Sequence, residues 1–139
     1  MKRRVRRKKL TPIQVLEREL NDLWKRGVCE RDGWRCQLCG ATEGLTAHHV
    51  IYRSQCRFLR WDLANGICLC ALRCHGKAHG RVKGALRGMG SASVVMLEIA
   101  RAIGQERMKY LLANCRTIAR FRKDDLLEIR EKLRKEVAA

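Results

Sequence analysis

The chain has 139 residues, room for one compact unit with appended helices rather than two large domains. Lys and Arg number 31 against 14 Asp and Glu, a formal net charge of +17 that exceeds what solubility requires and draws polyanions, nucleic acid first and an anionic membrane surface second. No apolar run approaches the roughly 18 residues of a membrane span, and no segment has the basic region, apolar core and small-residue cleavage site of a signal peptide, so the expectation is a cytoplasmic, intracellular protein with no membrane partner.

Taken in chain order, residues 1–10 read as a basic arm, disordered when free and able to lie along phosphates; residues 1–9 alone carry seven Lys or Arg. A helix is expected over 11–27. Thr11 suits its N-cap, Pro12 its first position and Gln14 the return contact of a capping box. Ile13, Leu16, Leu20, Leu23 and Trp24 recur at helical spacing, and Gly27 is the expected stop. Asp32-Gly33 signals a turn into the knuckle Cys36-Gln37-Leu38-Cys39-Gly40. Short strands are expected near 46–52 and 67–69, with a loop over 54–64 between them and a helix starting over 74–80. Residues 81–90 form a glycine-spaced basic connector. Beyond it, 91–139 reads as helical. One helix over 91–103 is closed by Gly104. A second over 105–115 has Met108, Leu111, Leu112 and Cys115 on one face. A third, capped by Asp124, has the stripe Leu126, Ile129, Leu133 and the i,i+4 pairs Glu128–Lys132 and Glu131–Lys135. The expected fold class is α+β: a small core over 28–80, an N-terminal helix and a C-terminal helical extension.

Eight cysteines in a chain expected to stay inside the cell point to metal ligands or free thiols rather than a disulfide framework. Cys36 and Cys39 form a C-x2-C pair, and Cys70 and Cys74 a C-x3-C pair. Together they suit a closed tetrahedral zinc site, and a core of about fifty residues commonly needs such a staple. Two alternatives stay open at this point: Cys68 in place of Cys70, or His75 as a ligand in a Cys₃His set. Cys29, Cys56 and Cys115, with Cys68 unless it takes that place, are expected as buried small hydrophobes or free thiols.

All four histidines, His48, His49, His75 and His79, fall in the same core, with Asn65 between the two pairs. A zinc held by four thiolates has no use for them. In their order Cys36-Gln37-Leu38-Cys39, Ala47-His48-His49-Val50-Ile51, Asn65-Gly66-Ile67-Cys68-Leu69-Cys70 and Cys74-His75-Gly76-Lys77-Ala78-His79, these segments resemble the HNH endonuclease family of ββα-metal nucleases, over about the central third of the chain. The likeness is to small phage-encoded members, with one extra residue in the second cysteine pair. The resemblance implies two strands and a helix gripping one divalent metal, Mg²⁺, Mn²⁺, Ni²⁺ or Zn²⁺, apart from a structural zinc. His48 and His75 then correspond to metal ligands, His79 to a third ligand, His49 to the general base and Asn65 to the residue that orients the base and its loop. It implies hydrolysis of DNA, rather than RNA, by nicking or double-strand cleavage, in a phage protein within a bacterial host; a homodimer or a phage protein partner is compatible with it.

The physical logic of the residues agrees. His75 and His79, at i and i+4, share one helix face, while adjacent His48 and His49 on an extended segment face opposite sides. A neutral imidazole can take a proton from water near neutral pH. Arg53, Arg57, Arg60 and Lys77 are candidates for phosphate contacts, and Trp61 for packing. The alternative reading is a non-catalytic zinc module that binds nucleic acid through charge, or a phage accessory module. It accounts for the charge and the cysteines but not for the histidines around Asn65.

Overall fold

The computed structural model describes residues 8–80 and 91–138, the backbone alone for 91–93. Most of the expected basic arm and all of the glycine-spaced connector lie outside the described residues. Thr11 caps the first helix, α1 (Pro12–Arg31): its hydroxyl accepts from the Gln14 amide at 3.2 Å, and the Gln14 side chain accepts from the Thr11 amide at 2.9 Å. The helix does not stop at Gly27. That glycine is buried, and a Cβ on it would lie 2.7 Å from Val137 Cγ2 and 2.9 Å from Leu63 Cδ2. It is there to let another helix approach, not to end this one. The helix ends instead at Asp32, followed by Gly33 and Trp34 with φ of 68° and 51°, the left-handed turn that Asp-Gly announces.

Strands β1 (Leu45–His49) and β2 (Gly66–Cys70) form one antiparallel pair, with His48 opposite Ile67 and His49 opposite Gly66. A 3₁₀ turn over Leu63–Asn65, capped by the Asp62 carboxylate on the Ala64 amide, feeds the chain into β2. Every residue of β2 is buried, so both of its faces are covered. The short helix α2 (Cys74–Ala78) follows, then α3 (Ser91–Ile103), α4 (Gln105–Asn114) and α5 (Lys123–Ala138). Gly104, at φ 85°, breaks α3 from α4, as its place in the sequence suggests. α5 begins a residue before Asp124, and the cap comes from Asp125, whose carboxylate accepts from the Arg122 amide. On α5 Glu131 pairs with Arg130 and Arg134, and Lys132 with Glu136, in place of the expected Glu131–Lys135 and Glu128–Lys132.

Two apolar cores sandwich the strand pair. Leu16, Leu20, Trp24 and Val28 of α1 pack with Leu126 and Leu133 of α5 and with Trp61. On the other face Ile67 and Leu69 meet Val95 and Ile99 of α3 and Leu111 of α4. Full burial of each such Leu or Ile contributes about 1.5–3 kcal/mol. The C-terminal helices therefore complete the cores on either side of the strands: the architecture is a small α+β fold. Among the described residues no helix is long and apolar enough to cross a membrane.

Candidate functional site

The first cluster is made of thiols. The knuckle after α1 is closed by the Gly40 amide on the Cys36 carbonyl at 2.9 Å and by the Cys36 amide on the Ala41 carbonyl at 2.8 Å, with Gly40 at φ 76°. It brings Cys36 and Cys39 against Cys70 at the end of β2 and Cys74 at the start of α2. The four Sγ atoms lie within 4.8 Å of one another, and Cys39 and Cys70 are 3.6 Å apart. A tetrahedral zinc with Zn–S near 2.3 Å needs sulfurs separated by about 3.8 Å. Burial raises the Cys70 thiol, but the Cys74 amide and the neighbouring thiols outweigh it and bring the pKa down to about 6. Burial likewise raises Cys36, and the amides of Cys39, Leu38 and Cys70 outweigh it. Cys74 is pushed up by burial and by hydrogen bonds to the other three thiols. Four crowded sulfurs, two of them favouring the thiolate, fit a cation such as zinc.

Cys68 does not belong to this set. It is fully buried beside Cys29, and burial together with the Cys29 thiol pushes its pKa up to about 12, the environment of a neutral thiol. Cys29 is raised by burial too. Cys70, not Cys68, joins the cluster, and the four cysteines leave no place for His75 in it.

The second cluster is made of imidazoles. Successive side chains on β1 face opposite ways, so His48 points to α2 while His49 points to α1. His75 and His79 sit one turn apart, with His79 at the C-cap of α2. Ligand nitrogens of His48, His75 and His79 lie within 4.8 Å of one another. His48 is 1% exposed, and neither of its ring nitrogens has a hydrogen-bond partner. A buried imidazole with both nitrogens unsatisfied is costly unless something else is bound there. Burial, then the charges of His75, His79 and His49, lower its pKa to about 3, which keeps it neutral and able to donate a lone pair. Tyr52 stacks on His79 at 5.4 Å and donates its hydroxyl to the Ala78 carbonyl at 3.0 Å. The trio therefore fits a metal ion as its donors stand.

His49 lies outside the trio but lines the same groove as His75 and His79, a space of about 500 Å³ whose rim carries Lys25 and Arg53. Its Nε2 is 2.8 Å from the Arg60 carbonyl. A carbonyl only accepts, so Nε2 carries the proton and Nδ1 keeps its lone pair. Burial lowers the pKa of His49, the Arg60 hydrogen bond partly opposes this, and Arg53 and Arg60 lower it further. Asn65 is fully buried at the foot of β2 and binds the chain that follows β1 through Ile51 and Leu59.

The proposed phosphate contacts separate. Arg53 is exposed at the groove. Arg57 and Arg60 reach back to Glu17 of α1, at 2.9 and 3.3 Å, and Arg60 also lies over Trp61, so both are engaged within the protein. Lys77 is exposed on α2. Trp61 is buried and donates to Asn21 at 2.9 Å, a packing role. Trp24 also lines this groove, which sequence reasoning misses, since a tryptophan in an amphipathic stripe reads as core. The protein is thus a small α+β chain with a thiol cluster and a separate imidazole cluster, each compatible with metal binding. No family model matches the chain, and no curated protein or solved structure matches it either.

Proposed function

We propose that the chain is a metal-dependent endodeoxyribonuclease of the HNH type, with a structural zinc in the thiol cluster and a catalytic divalent metal at the imidazole trio. The observation that carries this reading is the pair of roles at one groove: a metal-compatible trio, His48, His75 and His79, beside His49, which keeps a lone pair and is not part of the trio. A zinc module that binds nucleic acid by charge alone has no need of either. The antiparallel β1–β2 pair followed by α2, with His48 on the strand and His75 on the helix, supports the ββα-metal arrangement implied by the sequence resemblance.

In this reading His49 Nδ1 takes a proton from a water, and the oxygen attacks the phosphorus as the 3′ oxygen departs. The Arg60 carbonyl holds the opposite ring nitrogen protonated, which fixes the tautomer for that task. Asn65 fixes the backbone on which the groove is built. Lys25 and Arg53 attract the phosphate backbone to the groove, and the +17 charge draws the polyanion to the protein as a whole. A divalent metal at His48, His75 and His79 would offset charge on the phosphoryl oxygens and the leaving group.

His49→Ala tests the assignment. The expected result is loss of DNA cleavage with folding and DNA binding kept; cleavage that survives the change unaltered removes His49 from the mechanism.

A further inference from the structure

The indole of Trp24 lies flat on the imidazole of His49, with ring centroids 3.9 Å apart and planes 9° from parallel. Trp24 comes from α1, outside the segments that carry the resemblance to HNH nucleases. Three contacts fix it. Its Nε1–H donates to the Asp62 carbonyl at 2.8 Å. It is 3% exposed in the core that α1 shares with α5. Its ring edge rests on Gly66, where a Cβ would lie 2.8 Å from Trp24 Cζ2. Gly66 is the strand partner of His49, so the indole covers the pair it forms with the imidazole.

The loop before β2 thus binds both rings, through the Arg60 carbonyl to His49 and the Asp62 carbonyl to Trp24, two residues apart. The carbonyl selects which imidazole nitrogen bears the proton. The stack holds the ring plane in which that hydrogen bond can form. Without a flat partner, the imidazole can rotate about its Cβ–Cγ bond and swing away from the Arg60 oxygen.

We infer that Trp24 is a positioning residue for His49, holding the imidazole in the plane that keeps Nε2–H on the Arg60 carbonyl and leaves Nδ1 to receive a proton. Its role in cleavage rests on the nuclease reading; its role in orienting His49 does not. The aromatic face is the feature that matters, so Trp24→Phe retains the function and Trp24→Leu, still apolar, loses it.

The test is made on the full zinc-loaded chain with two readouts. Histidine ¹⁵N–¹H correlation spectra report the tautomer of His49, and steady-state plasmid cleavage separates kcat from KM. Wild type and Trp24→Phe are expected to show one Nε2–H tautomer at His49, and Trp24→Leu a mixture. In Trp24→Leu kcat is expected to fall about 100-fold with little change in KM, the scale of a reacting group displaced by about 1 Å. Circular dichroism and melting check that each variant is folded; if Trp24→Leu is not, Trp24→Met makes the same comparison with Trp24→Phe. The inference is overturned if the non-aromatic variant keeps a single tautomer and full kcat, or if Trp24→Phe fails as badly as it does. A wild-type chain that cuts no DNA under any condition overturns the nuclease reading, and the tautomer spectra alone then decide the role of Trp24.

Discussion

Asn65 and Ile51 are hydrogen-bonded in both directions: the Ile51 amide donates to Asn65 Oδ1 at 2.7 Å, and Asn65 Nδ2 donates to the Ile51 carbonyl at 2.9 Å. The same Nδ2 reaches the Leu59 carbonyl at 3.1 Å, and the Asn65 carbonyl accepts from the Val50 amide at 2.9 Å. One buried side chain thereby replaces the strand partner that the backbone after β1 would otherwise lack. Asn65→Ala leaves an amide and two carbonyls without their partner in a protected place. The expected cost is about 2–4 kcal/mol of stability, read by urea denaturation, and cleavage should fall with it. Asn65→Asp is no rescue, because a carboxylate cannot donate to either carbonyl.

The thiol cluster separates two neighbouring cysteines of β2 that the spacing alone could not. Cys70→Ser is expected to bring bound zinc well below one per chain and to lower the melting temperature sharply, since a structural zinc contributes on the order of 10 kcal/mol to folding in small domains. Cys68→Ala, which removes only the thiol contact with Cys29, should keep one zinc per chain and cost only about 1–2 kcal/mol. Metal content of the purified variants by plasma emission decides between them. Equal zinc loss in both would contradict the assignment of Cys70.

Stability should fall in acid. His48 is held down to about pKa 3 in the folded chain, against an ordinary value of 6.5. The unfolded chain therefore binds a proton near pH 6.5 that the folded chain refuses until near pH 3. This contribution is fully present above about pH 6.5 and is lost as pH falls toward 3, with a slope approaching ~1.4 kcal/mol per pH unit for one proton. His49 is lowered as well and adds in the same direction. Denaturation curves between pH 7 and 4 should be steeper for wild type than for His48→Gln, which has no proton to gain at that position. Equal slopes would mean that His48 titrates normally.

Local chemistry was legible in the sequence where it depends on near neighbours. The capping box at Thr11 and Gln14, the Asp-Gly turn, the knuckle at Cys36 and Cys39 and the i,i+4 pair His75 and His79 are each set within a few residues. Long-range packing was not. Gly27 reads as a helix stop, because glycine is a poor helix former; its reason for being there is Val137, which arrives more than a hundred residues later. Arg57 and Arg60 read as free cations on a loop, and only the fold brings Glu17 to them. Trp24 reads as core and is core, yet one face of its ring lies on a histidine of another element. The choice between Cys68 and Cys70 depends on where β2 ends and α2 begins, which spacing does not encode.

The central claim is that two separate clusters serve two purposes, one holding the fold and one cutting DNA. The most direct test is a supercoiled plasmid assay on the purified chain with Mg²⁺, Mn²⁺ or Ni²⁺, or with EDTA, at a concentration that leaves the thiolate zinc in place. Conversion to open-circular or linear DNA with metal, abolished by EDTA while circular dichroism is unchanged, is the expected result. A plasmid that is bound and shifted but never cut with any of the metals would contradict it and leave a charge-driven nucleic-acid-binding module.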